Sequence, residues 1–135
     1  MQALAQQGIC GVEAEPIAAS GNGIGGMSLN EIIRKKYIPM TETTYYTLLS
    51  VMVPRHGYAI MQFIEEKTMG RLSLGAGTLY GALNILQEKG WIEPCGKNES
   101  RKKEYLITPL GKEIAENELL RLGELITTAK EIMGG

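Results

Sequence analysis

The sequence predicts a mainly α fold with a small β-hairpin (α+β), closed by one long C-terminal helix. Three observations predict it. Apolar residues recur at helical spacing in several separate stretches of the 135 residues. Two short β-prone runs flank a polar, basic loop, Gly96 to Lys103. A heptad-spaced apolar seam then runs along the last helix.

The elements follow in order. Residues 1–27 crowd Gly8, Gly11, Gly21, Gly23, Gly25 and Gly26 into a segment with no apolar period. A disordered leader is expected there, with Met27 and Met40 as alternative starts. Ser28-Leu29-Asn30-Glu31 carries the S-x-x-E pattern of a capping box, so residues 28–39 are read as a short helix or linker that Pro39 closes. Tyr45, Leu48, Leu49 and Met52 form the stripe of the next helix, which Pro54 ends. Gly57 to Lys67 is a further helix, with Ala59, Ile60, Phe63 and Ile64 turned inward. Arg71-Leu72-Ser73-Leu74 alternates and is read as a short strand pairing with the hairpin.

Gly75 is an acceptable N-cap for a helix whose core stripe is Leu79, Ala82, Leu83 and Leu86. Gly90 suits a left-handed helix end that brings Trp91 against Leu86. Trp91-Ile92-Glu93 and Tyr105-Leu106-Ile107-Thr108 are the strands, and Pro94 confines the first to a sheet edge. Thr108 and Pro109 then read as N-cap and first residue of the last helix. Three helices followed by strand, basic loop and strand make a winged helix-turn-helix over residues 40–108. Residues 109–133 form the long C-terminal helix, where Ala115, Leu119, Leu122, Ile126, Ala129 and Met133 are spaced as heptads. About 25 residues at 1.5 Å each span about 37 Å, more than one small domain covers. Homodimerisation through that seam is the expected outlet, and folding back on its own domain is the alternative.

Composition narrows the function. Net charge is −1 and the pI about 5.9, with 44% hydrophobic and 21% charged residues. No apolar run approaches the roughly 18 residues of a membrane span, and no signal-peptide layout opens the chain, so no membrane partner and a cytoplasmic location are expected. Cys10 and Cys95 lie far apart in sequence and in different kinds of segment, so neither a disulfide nor a metal site is expected. Basic residues gather at Arg34-Lys35-Lys36 and Arg101-Lys102-Lys103, while acids concentrate in the last helix. Such segregation suits a contact with DNA. Catalysis is not expected. His56 is the single histidine and has no nucleophile or carboxylate arrangement around it. Its place before a helix suits capping. Gly75-Ala76-Gly77 lacks the rest of a phosphate loop, so no cofactor is expected.

The segments TETTYYTLLSVM (41–52), PRHGYAIMQFIEE (54–66), GRLSLGAGTLYGALNILQEKGWIE (70–93) and RKKEYLITPLGKE (101–113) together resemble the PadR family of transcriptional regulators. The subfamily resembled is the small one with a single C-terminal dimerisation helix. Ala76 stands where that family usually has proline. The resemblance implies a repressor released from DNA by a small aromatic or drug-like effector, with DNA contacts on the third helix and the wing. Thr78 and Tyr80 fall in its Gly-Thr-Leu-Tyr element, and Arg101, Lys102 and Lys103 on the basic side of its wing.

Helical geometry adds to this. At about 100° per residue, the face opposite the core stripe is Gly77, Gly81, Asn84 and Glu88, flanked by Tyr80. Asn84 can pair bidentately with adenine. Tyr80 either binds phosphate or packs. Gly81 costs about 1 kcal/mol relative to alanine, which either close approach to DNA or a tight helix crossing would offset. Amides near Gly77 and Thr78 can take a phosphate, and Lys97 with the wing cations can supply sequence-independent affinity. An inverted-repeat operator follows from a dimer with two such helices. The rival reading is a winged helix used only for protein contacts.

Overall fold

The computed structural model describes residues 28–96 and 103–134; the leader expected over residues 1–27 lies outside them. Five helices and three strands follow one another as α1 (Leu29–Lys36), α2 (Glu42–Ser50), β1 (Arg55–His56), α3 (Gly57–Lys67), α4 (Ala76–Glu88), β2 (Ile92–Cys95), β3 (Glu104–Ile107) and α5 (Pro109–Ile132). The architecture is mainly α with a small antiparallel sheet of order β1-β3-β2.

Local chemistry fixes the helix ends. Ser28 and Glu31 form the reciprocal capping box of α1, each side chain bonded at 3.1 Å to the other's amide. The His56 Nδ1 accepts from the Ala59 amide at 3.3 Å, so the single histidine is the N-cap of α3. The end of α4 is a Schellman motif. Gly90 takes φ +79°, its amide bonds to the Gln87 carbonyl, and the Trp91 amide bonds to the Leu86 carbonyl at 3.0 Å. At the start of α5 the Thr108 hydroxyl accepts from the Gly111 amide at 3.0 Å and donates to the Gly90 carbonyl at 2.6 Å.

Two expectations are corrected. Residues 71–74 form no strand, because Thr68 ties them into the turn that ends α3. The Leu72 amide donates to the Thr68 hydroxyl at 3.0 Å, and the Arg71 amide to the Thr68 carbonyl at 3.0 Å. The third strand is instead β1, where Arg55 opposes Tyr105 and His56 opposes Glu104. Arg55 holds it in place, its Nε donating to the Ser50 carbonyl at 2.9 Å and its guanidinium lying 4.2 Å from the Phe63 ring centroid. Helix α2, secondly, stops at Ser50, short of Met52. The Val51 and Met52 amides turn back to the Leu48 and Leu49 carbonyls, and Met52 is left exposed.

The core lies where α2, α3 and α4 meet the sheet and the first half of α5. Leu48, Ile60, Ile64, Leu79, Leu83 and Ile114 are fully buried there. Ile33 of α1 joins the same cluster, and the following Tyr37 meets Trp91 edge-on, with centroids 5.4 Å apart.

Candidate nucleic-acid interface

Helix α4 buries one side and leaves the other bare. Leu79, Leu83 and Leu86 are inside, while Gly77, Thr78, Gly81, Asn84 and Glu88 are all exposed. A Cβ built at Gly75, Gly77 or Gly81 would meet nothing within 4 Å. Among the described residues, therefore, no helix crosses tightly at Gly81. The Asn84 amide makes no hydrogen bond to any other described residue and stands free for an external partner. Gly75 supplies no side-chain cap, so the first amides of α4 are also unclaimed by side chains.

Tyr80 divides between two roles. The residue is 44% exposed, yet its hydroxyl seats against α3 at a point where a Cβ on Gly57 would lie 2.1 Å away. Gly57 is thus the seat for this phenol, and no larger residue leaves room for it. Tyr80 also lies near Tyr105 of β3. Burial raises the Tyr105 pKa, and the neighbouring Tyr80 phenol adds to the shift. Tyr80 therefore packs where α4, the start of α3 and the sheet come together.

The wing is described at its base. Strand β2 runs antiparallel to β3 with Ile92 opposite Ile107 and Cys95 opposite Glu104. Because β2 is an edge strand, Pro94 is accommodated without breaking the sheet. Gly96 leaves the strand with φ +99°, and Lys103 is exposed where the chain re-enters β3. Lys97, Arg101 and Lys102 lie outside the described residues.

Not every cation is available. Arg34 pairs with Glu124 at 3.2 Å, Arg71 makes two bonds to Glu42, and Arg121 makes two to Glu118. The Arg71 pair holds the Glu42 pKa below its ordinary value, by hydrogen bonding first. Lys36 and Lys89 both lie over the Tyr37 ring. Of the first basic cluster, then, one member is neutralised and one rests on an aromatic face.

The seam of α5 is uneven. Ala115 is buried within its own chain, its carbonyl accepting from the Tyr45 hydroxyl at 2.9 Å. Leu119, Ile126 and Met133 are 62%, 56% and 84% exposed, and Leu122 and Ala129 are half-buried. Leu120 is exposed beside them, off the heptad register and so missed by it. A second residue missed from the sequence is Ile85 of α4, 53% exposed next to Asn84. Its offset from the Leu79–Leu86 stripe was the available signal. Among the described residues there is no cluster able to hold a metal ion, and no helix is long and apolar enough to cross a membrane.

Residues 47–117, just over half of the chain, match the family described as the transcriptional regulator PadR-like family. A curated relative, an uncharacterized 37.1 kDa protein in transposon TN4556 of Streptomyces fradiae, is 39% identical over 72 residues. That match covers 53% of this chain and 20% of the relative, so the chain spans about a fifth of the relative's length. Among solved structures, a transcriptional regulator from Clostridium thermocellum superposes with a TM-score of 0.56 at 25% identity, covering 70% of this chain and 93% of that one. Bacillus subtilis PadR, solved in complex with operator DNA, superposes at 0.52 with 24% identity, covering 72% and 62%, a likeness of fold.

Proposed function

Because the chain belongs to the PadR-like family of transcriptional regulators, and so is no enzyme, we propose that it binds an inverted-repeat operator as a homodimer and represses transcription from it. The observation that carries this reading is the bare face of α4. Gly77 and Gly81 leave the backbone open to close approach, and Asn84 offers an unengaged amide for adenine. In the proposal the amides near Gly77 and Thr78 take a phosphate, and Lys103 with Lys97, Arg101 and Lys102 supplies backbone contacts. The Tyr80 ring adds a flank contact while its hydroxyl stays on Gly57. That Bacillus PadR, on the same fold, was solved in complex with operator DNA supports DNA as the partner.

Dimerisation is proposed through the exposed part of the seam, Leu119, Leu122, Ile126, Ala129 and Met133, with Ala115 at its covered end. Release of the DNA by a small aromatic or drug-like effector completes the reading and is taken from the family resemblance.

Footprinting on DNA selected from a random duplex pool tests it. Two protected half-sites related by a dyad are expected. Replacing Arg101, Lys102 and Lys103 together by alanine should weaken binding to all sequences alike and flatten the salt dependence by up to about 3 in slope, near 0.9 per lost phosphate contact. An unchanged slope removes the wing from the interface. No binding at low salt favours a winged helix used for protein contacts.

A further inference from the structure

We propose that Ile85 reads thymine through its 5-methyl group, making it a specificity-determining residue beside Asn84. The inference rests on the reading of α4 as the helix that enters the major groove.

Ile85 is not part of the core among the described residues. It lies on a helix whose core positions, Leu79, Leu83 and Leu86, are completely or almost completely buried, yet it is itself 53% exposed. A β-branched side chain gains nothing on a solvent-facing helix surface, where straight-chain residues form helix better. Its position along the helix is informative. Ile85 follows Gly81 by one i,i+4 step and Thr78 by two turns, so the three share one row. Thr78 is exposed at the top of that row, and the Gly81 position is open. The row is therefore shallow, running from a threonine over bare backbone to an isoleucine. Asn84 runs alongside it.

Base edges in the major groove are otherwise polar, and the apolar group they carry is the thymine C5-methyl. An aliphatic side chain on the flank of the contacting face, opposite Tyr80, matches that group. It also forfeits affinity against cytosine, whose amino donor it leaves unpaired. Asn84 recognises adenine through two hydrogen bonds. The adjacent pair Asn84 and Ile85 thus selects A·T pairs by both their polar and their apolar edge. This accounts for a contacting face without a central arginine or lysine.

The experiment uses duplexes selected from a random pool by the wild-type protein, with each thymine in a half-site replaced in turn by deoxyuridine. That change removes the methyl and keeps the base pair. At one thymine per half-site the wild-type protein should lose about four-fold in affinity, the value of one buried methyl. Ile85→Ala should bind the thymine and uracil forms alike, with a urea midpoint close to the wild type's, because more than half of the residue is exposed and alanine favours helix. Discrimination that persists in Ile85→Ala assigns the methyl contact to another residue and overturns the proposal. Equal binding of thymine and uracil forms by the wild type, with the footprint intact, overturns it while leaving the DNA-binding reading standing. Absence of any footprint overturns both.

Discussion

The two halves of α5 share a helix and a heptad pattern but pack in opposite ways, and a glycine in each shows why. In the first half Ile114, Ala115, Asn117 and Glu118 are buried, and Gly111 lies directly on the backbone of Trp91. In the second half Leu119, Leu120, Leu125, Ile126 and Ile132 are exposed, and a Cβ at Gly123 would meet no other described side chain or element within 4 Å. An apolar period records that a helix will be covered; it does not record by what. The first half is covered by its own domain. For the second, the proposed cover is another copy of the chain.

The largest expected effect tests the covered half. A Cβ at Gly111 would lie 2.2 Å from the Trp91 carbonyl oxygen and 2.8 Å from the Ile107 Cγ1. The oxygen belongs to the backbone and already accepts from the Thr108 amide at 2.9 Å, so it has no freedom to move aside. Gly111→Ala should lift the start of α5 and cost about 3 kcal/mol, lowering Tm by roughly 10 °C. Thermal unfolding followed by circular dichroism reads it. An unchanged Tm would show that α5 is not seated on Trp91.

An intermediate effect lies at the boundary between the halves. The Glu118 carboxylate accepts from the Arg121 guanidinium at 2.8 and 2.9 Å and from the Met40 amide at 3.2 Å. The Arg121 hydrogen bonds hold its pKa below the ordinary carboxylate value against the opposing effect of burial, and the Met40 amide assists. A depressed folded pKa means that the stabilisation is complete above the unfolded value and is lost as pH falls through the folded one. Glu118→Gln should therefore cost about 1–3 kcal/mol at neutral pH. In urea titrations the gap to wild type should narrow as pH is taken from about 7 down to about 4 and below. A gap independent of pH would mean that ionisation of Glu118 is not what joins α5 to the segment before α2.

These pairs also show what a sequence conveys. Caps and helix ends were legible because their chemistry is local: Ser28 with Glu31, Gly90 before Trp91, and Thr108 before Pro109 each need only a few neighbouring residues. The bare face of α4 was legible from the period of its leucines. The strand Arg55–His56 was not, since two residues carry no alternation and their pairing with β3 is a long-range event. Nor was the seat of Tyr80 on Gly57, which joins residues far apart in sequence. The burial of Asn117 and Glu118 was not legible either, because their partners, Asn30 and the Met40 amide, come from the other end of the chain.

The smallest effect on the fold distinguishes the halves most sharply. Gly123 is exposed on α5, and the space its Cβ would fill is open. If solvent is its only neighbour, Gly123→Ala should raise stability by about 1 kcal/mol through helix propensity alone. At about 100° per residue it lies at the rim of the Leu119–Ile126 seam, not at its centre, so the dimer should persist in sedimentation equilibrium. The added methyl thus separates two reasons for a glycine. A stabilised chain with intact dimerisation leaves Gly111 as the one glycine of α5 that close packing demands. A stabilised chain that no longer dimerises would place a partner's backbone against Gly123. Both glycines would then serve close approach, one within the chain and the other between chains.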